Sequence, residues 1–226
     1  MWYVASDVDG TIADRVEAYK VFWQGKLGLW TPEELEGMRT YADLFRGEKF
    51  RTWKKANPDL LIQFYEESQQ SLQVLEDCIP IPYAQGMLSQ FQVTYYTIRK
   101  SRQEALSQQM EAVTRAWLNR HGFVGEVYFP FSFQQKILLI RKHARNLPIV
   151  FFDDRWKDVL TAYERLLIRY PDNKAVLGLQ QQMTLVAFGI DVLPDDLSTH
   201  GLRVIPLPNW QARCELLSDL LPIGPS

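Results

Sequence analysis

Residues Tyr3-Val4-Ala5-Ser6-Asp7-Val8-Asp9-Gly10-Thr11 join a short apolar run to two carboxylates separated by one residue, then to a glycine and a threonine. In an extended strand, residues i and i+2 point the same way. Asp7 and Asp9 therefore lean toward one point at the strand's carboxyl end if the chain stays extended there, and a cation fits between them. Gly10 lets the backbone turn sharply behind the pair, and Thr11 can hold that turn through its hydroxyl. Two such carboxylates suit phosphoryl transfer. One attacks phosphorus to form an acyl phosphate, and the other exchanges a proton with the leaving group. The same residues also suit a surface turn that merely ends a strand, so the rest of the chain decides between the two.

Beyond Thr11 the pattern turns helical. Ala13 to Leu27 is followed by Thr31-Pro32-Glu33-Glu34, an N-cap with a first-turn proline and acidic residues at the positive end of a helix. Asn57-Pro58-Asp59 introduces a further stretch in which Leu60, Leu61, Phe64, Leu72 and Leu75 form an apolar stripe. Residues 14 to 80 read as an all-helical insert, closed by Pro80 and Pro82. Short apolar runs then alternate with amphipathic helices, the pattern of a parallel sheet. Strands are predicted at Trp2 to Ser6, Gln92 to Tyr96, Glu126 to Phe131, Ile149 to Phe152, Leu185 to Phe188 and Arg203 to Ile205. A helix is predicted from about Ser101 to His121, with Leu106, Met110, Val113 and Trp117 as its core stripe and Gly122 as its stop. Pro206, Pro208, Pro222 and Pro225 predict an irregular tail without a chemical role.

Ligands of open parallel sheets gather beyond the carboxyl ends of the strands, so the residues that follow each apolar run matter most. Thr97 follows Val93-Thr94-Tyr95-Tyr96, Lys136 lies in the helix after the third strand, and Asp153 and Asp154 follow Ile149-Val150-Phe151-Phe152, with Asp158 shortly after. In this order the residues resemble the haloacid dehalogenase-like superfamily of phosphohydrolases. Its pattern is an Asp-x-Asp-Gly-Thr strand end, a Thr or Ser after the second strand, a Lys, and an acidic pair. The resemblance implies an α/β fold, a three-layer Rossmann-like parallel sheet with an all-helical cap inserted after the first strand. Residues 1–13 with 83–226 would form the core, and 14–82 the cap.

The resemblance also implies roles. Asp7 would be the nucleophile, and Asp9 the general acid and base, its carbonyl also reaching a metal. Thr97 and Lys136, with Gly10 in the same loop, would hold the phosphoryl group. Magnesium is the implied cofactor, as a hard cation that takes oxygen ligands and keeps several waters. Its ligands would be Asp7, Asp9 and one of the acidic pair. The commonest family pattern has Gly before the metal-binding Asp, whereas Asp153 stands there in this chain. Either Asp153 or Asp154 could therefore be the direct ligand, the other orienting it. Asp158 would hold a metal-bound water or Lys136, or simply sit near a helix N-terminus. Arg99 is a candidate for a second substrate anion, since a guanidinium binds phosphate in bidentate fashion.

Composition narrows the partners. The chain is 46% hydrophobic and 23% charged with a net charge of −2, the balance of an ordinary globular protein without a global field for nucleic acid or anionic membrane. It opens on a strand-like run without a basic leader, and no apolar stretch nears the roughly 20 residues that span a bilayer, so a cytoplasmic location is expected. Cys78 and Cys214 are expected as reduced, packed thiols, and His121, His143 and His200 are scattered. The expected reaction is hydrolysis of a small-molecule phosphomonoester, because Asp9 supplies the proton an alkoxide needs. Lys49, Arg51, Trp53, Lys54 and Lys55 motivate a nucleotide or nucleic-acid-end phosphatase as the alternative. A catalytically silent binding or scaffold protein is the other. The aromatic residues of the insert are expected mostly as packing.

Overall fold

The structure is a computed structural model that describes residues 1–212 together with Leu217 and Ser218; Cys214, Pro222 and Pro225 lie outside the described residues. The chain runs β1 (Tyr3–Ser6), β2 (Ala13–Asp14), α1 (Val16–Leu27), α2 (Pro32–Gly37), a 3-10 turn (Tyr41–Phe45), α3 (Glu48–Ala56), α4 (Pro58–Gln70), α5 (Leu72–Asp77) and β3 (Ile79–Pro80). It continues through α6 (Ala84–Leu88), β4 (Val93–Tyr96), α7 (Glu104–Arg120), β5 (Val127–Tyr128), α8 (Phe133–Ala144) and β6 (Ile149–Asp153). The last described elements are α9 (Trp156–Arg169), α10 (Lys174–Leu177), α11 (Leu179–Gln182), β7 (Met183–Phe188) and β8 (Arg203–Leu207).

Six strands form one sheet in the order β5-β4-β1-β6-β7-β8, and every pairing in it is parallel. Strands β6 and β7 are buried at every position, which explains why their sequences IVFFD and MTLVAF do not alternate. A parallel sheet flanked by helices has no wet face, so both faces of its central strands are apolar. On one face Ala5, Tyr96, Phe151 and Leu185 pack against Ile137 and Ile140 of α8 and Val159, Tyr163 and Leu166 of α9. The central pairing sets Ala5 opposite Phe151 and Ser6 opposite Phe152, so β1 and β6 end side by side.

The strand boundaries differ from the sequence expectation in instructive ways. Only Val127 and Tyr128 of the expected run 126–131 pair, because Pro130 interrupts the run and Ser132 caps the following helix by accepting from the Gln135 N–H. In contrast, β8 continues through Pro206 to Leu207. An edge strand tolerates the missing N–H on its outer side, and β8 is an edge. Gly122 ends α7 as expected, at φ 74°: its N–H donates to the Asn119 carbonyl and the Phe123 N–H to the Leu118 carbonyl, a Schellman stop.

Contacts divide the chain into two units, residues 1–12, 80–98 and 118 onward, and residues 13–79 with 99–117. In the second unit Thr31 caps α2 with a full capping box, and Pro58 opens α4. The stretch after Pro58 is two helices rather than one, because the Ser71 side chain turns to accept from the Val74 N–H and starts α5. Leu60 of the expected stripe is 41% exposed, while Leu75 is buried. Tyr19, Trp23, Trp30 and Phe50 are buried in this unit's core, with Tyr41, Phe45, Trp53 and Phe64 packed against it. The Lys49 ammonium pairs with Glu34 at 2.8 Å and Trp53 stacks on Phe64, while Arg51, Lys54 and Lys55 are exposed. Among the described residues, no helix is long and apolar enough to cross a membrane.

Candidate active site

The loop that follows β1 has its backbone groups tied down. The Asp7 N–H donates to the Phe152 carbonyl at 2.8 Å, which extends the β1–β6 ladder one residue past the strand. The Ile12 N–H closes the turn onto the Val8 carbonyl at 2.9 Å. Between them Gly10 adopts φ 76°, where an L side chain is strained. Space is also lacking: a Cβ on Gly10 would lie 2.1 Å from Asp154 Oδ2. The glycine thus lets the backbone lie against a carboxylate from the other strand end.

That geometry gives a testable contrast with Gly28, which has φ 59° and open space where its Cβ would stand. Gly28→Ala should lose about 1–2 kcal/mol, the cost of a left-handed L residue. Gly10→Ala should lose more, since Asp154 must move as well. Urea denaturation of the two variants checks this; equal losses would mean that the Asp154 contact contributes nothing.

Thr11 holds the same carboxylate in register. Its hydroxyl accepts from the Asp154 N–H at 3.0 Å and lies 3.5 Å from Asp154 Oδ1, and the side chain is fully buried. The Thr11 carbonyl in turn accepts from Trp210 Nε1 at 2.7 Å. Sequence reasoning gave Thr11 a role in its own turn, but nothing in the sequence linked it to Asp154 or to Trp210. Trp210 comes from the segment expected to be inert.

Lys136 lies one turn into α8, where the Ser132 cap and the Phe131 N–H on Gln135 Oε1 fix the start of the helix. Its ammonium donates to Asp7 Oδ1 and to Asp153 Oδ2, both at 2.7 Å, and the side chain is 1% exposed. Asp153, at the end of β6, is fully buried, and its Oδ1 accepts from the Arg155 N–H at 2.8 Å. Both its oxygens are therefore engaged. Asp7, Asp153 and Asp154 bring carboxylate oxygens within 4.8 Å of one another. Beyond β4, fully buried Thr97 donates to Asp9 Oδ2 at 3.4 Å.

These groups strain one another electrostatically. Burial pushes the Asp7 carboxyl up to about 7; Lys136 opposes the rise, while Asp153 and Asp9 add to it. Burial likewise raises Asp154 to about 8, helped by Asp7 and Asp153. Burial alone would lower the Lys136 ammonium, yet Asp153 and Asp7 outweigh it and hold the ammonium above its ordinary value. Three carboxylates facing one ammonium leave an excess of negative charge in a desolvated place.

Asp7, Asp9, Gly10, Thr97, Lys136, Asp153 and Asp154 thus gather at the carboxyl ends of neighbouring strands. The two other residues singled out from sequence have partners of their own. Asp158 is half-exposed and accepts from Arg155 Nε at 2.7 Å. Arg99 belongs to the second unit, where it is 2% exposed and donates to the Thr114 hydroxyl at 3.0 Å.

Strand order and site position define an α/β protein of the Rossmann-like class, with its polar cluster at the carboxyl edge of a parallel sheet. More particularly, the fold is the haloacid dehalogenase-like one. The chain superposes on a haloacid dehalogenase-like hydrolase from Burkholderia xenovorans with a TM-score of 0.50 and 11% identity, covering 99% of this chain and 97% of that one. It superposes on a HAD-superfamily hydrolase of subfamily IA, variant 1, from Geobacter sulfurreducens with a TM-score of 0.53 and 15% identity, covering 98% and 97%. No protein-family sequence profile and no curated protein sequence matches the chain.

Proposed function

We propose that this chain is a cytoplasmic, magnesium-dependent phosphohydrolase that cleaves a small-molecule phosphomonoester through an aspartyl-phosphate on Asp7. The observation that carries the reading is the buried ammonium of Lys136, 2.7 Å from Asp7 Oδ1, beside the Thr97–Asp9 pair. An anionic nucleophile, an acid and two phosphate-binding groups are what a two-step transfer needs.

In the first step an Asp7 oxygen bonds to phosphorus as the ester P–O bond breaks, and Asp9 gives its proton to the departing alkoxide. In the second, Asp9 recovers a proton from water, whose oxygen bonds to phosphorus and releases Asp7 with inorganic phosphate. Thr97 donates to a phosphoryl oxygen. Lys136 favours the ionised form of Asp7 against the effect of burial and offsets charge on the equatorial oxygens.

Three carboxylates with oxygens within 4.8 Å are a hard donor set of the kind magnesium takes, and their surplus negative charge favours a cation. Asp7, Asp154 and the Asp9 carbonyl would hold it. Asp153, with both oxygens engaged by Lys136 and the Arg155 N–H, would orient the group from behind. Bound there, the ion supplies positive charge that lets a phosphate dianion approach Asp7.

The nucleic-acid-end alternative draws less support. Of the basic run that motivates it, Lys49 is paired with Glu34.

A panel of sugar phosphates, nucleotides, phospholipid head groups and phosphorylated DNA ends, with magnesium and with chelator, tests the proposal. Inorganic phosphate should appear from at least one class, and only with magnesium. Hydrolysis of none would leave the fold serving as a binding or scaffold protein.

A further inference from the structure

We infer that Trp210 is a positioning residue for Asp154, acting through Thr11; its bearing on cation binding rests on the function proposed above. Trp210 follows the last strand of the sheet and is 1% exposed. Its ring packs against Phe152 at 5.0 Å and Phe188 at 5.1 Å, near the carboxyl ends of β6 and β7. Phe152 directly precedes the Asp153-Asp154 pair. The indole therefore touches the strand that carries the acidic pair and, through its N–H, the loop that carries Asp7 and Asp9.

The choice of hydrogen-bond partner gives the contact its consequence. A buried indole N–H needs an acceptor. Here the acceptor is the Thr11 carbonyl at 2.7 Å, in a turn already closed by the Ile12 N–H on Val8 and by the Ile81 N–H on the Ile12 carbonyl. These bonds fix the Thr11–Ile12 peptide plane from both its carbonyl and its N–H, and the Ile12–Ala13 plane after it, and so restrict where the Thr11 hydroxyl stands. That hydroxyl accepts from the Asp154 N–H at 3.0 Å and approaches Asp154 Oδ1 at 3.5 Å. With Gly10 packed against the other carboxylate oxygen, Asp154 is bounded by the loop at two residues, and Trp210 holds that loop through the Thr11 carbonyl. Removing the indole N–H leaves a buried carbonyl without its donor, and the loop is then free to tilt away from Asp154. A ring that served only as core filling would act on stability alone.

The test uses Trp210→Phe, which keeps an aromatic ring on Phe152 and Phe188 and removes the N–H. Its companion is Thr11→Val, which keeps the carbonyl and removes the hydroxyl. Mn2+ binding to the whole protein is measured by calorimetry, together with hydrogen exchange of the segments 8–12 and 153–155. We expect Trp210→Phe to weaken Mn2+ binding about tenfold, the lower end of what supporting residues contribute at metal sites. Exchange should quicken in both segments. Activity should return at high magnesium with the substrate KM nearly unchanged. In a Thr11→Val background the Trp210 substitution should have little further effect on the ion, since both act along one line. A lower melting temperature with unchanged Mn2+ affinity, or full additivity of the two substitutions, would overturn the inference. If the wild type binds no Mn2+, the cation reading itself fails and exchange alone decides. Quickened exchange at 153–155 in Trp210→Phe then supports the link, and unchanged exchange there overturns it.

Discussion

The Asp7→Asn variant is expected to lose turnover by about 10⁴-fold or more while its thermal stability, measured without metal at pH 8, does not fall. The first half follows from the proposed role of the carboxylate as nucleophile, since an amide oxygen at that place forms no comparable bond to phosphorus. The second half follows from its surroundings. A carboxyl whose folded pKa lies above its unfolded value binds its proton more tightly in the folded state. It therefore costs stability as pH rises from the unfolded pKa, near 4, through the folded value of about 7. At pH 8 that cost is fully present in the wild type. Asparagine carries no charge to desolvate, and Lys136 keeps Asp153 as a partner at 2.7 Å. Stability and activity thus pull in opposite directions at this residue, as they do where a site holds charge that the fold alone would avoid. Phosphate release and a melting curve on the same preparation check both halves. Normal activity would remove Asp7 from the nucleophile's role; a collapse in melting temperature would mean that the carboxylate is structural.

The strands were legible because burial on both faces writes itself as uninterrupted apolar runs, and a carboxylate stands out at the end of such a run. Asp7 after Ala5-Ser6 and Asp153-Asp154 after Phe151-Phe152 are signals of that kind, and β1 and β6 do end side by side. The fold class could be read for the same reason, and the similarity in structure bears it out. What sequence left open is where side chains turn. Nothing local in Arg99 marks it as buried with its guanidinium on the Thr114 hydroxyl. The helical stripe after Pro58 carried no sign that Ser71 would cap a new helix in its middle. The links that hold the site, Thr11 to Asp154 and Trp210 to Thr11, join residues 143 and 199 positions apart. Pairings at that distance are set by tertiary packing, and a single sequence has no periodicity that could announce them. Which member of the acidic pair would be the ligand of a bound cation was open for a related reason. It turns on which carboxylate is taken up by Lys136, and Asp153 has both oxygens engaged.

Lys136→Met should have the largest effect on stability, and that effect should grow with pH. Methionine fills a similar volume in the apolar surroundings of Phe133 and Phe151, whose rings lie 5.5 Å and 5.1 Å from the ammonium, so little packing is lost. What is lost is the positive charge that two buried carboxylates share. Breaking a buried ion pair by removing one partner costs about 3–5 kcal/mol, because the survivor is left charged and desolvated. Asp7 can escape that cost only by taking up a proton, which raises its folded pKa further above its ordinary value. Since a raised carboxyl pKa removes stability as pH rises, the deficit relative to wild type should be small near pH 5, where Asp7 is protonated in the variant. It should widen through pH 7 and be greatest near pH 8. Added magnesium should recover part of it, by returning positive charge to the same cluster, and the recovery should vanish in a Lys136→Met, Asp154→Asn double variant. Turnover should fall at every pH, because an Asp7 that holds its proton is a poor nucleophile. Urea denaturation at pH 5, 7 and 8, with and without magnesium, measures the effect. A deficit that is constant across that range would mean that the ammonium contributes packing rather than charge to Asp7 and Asp153.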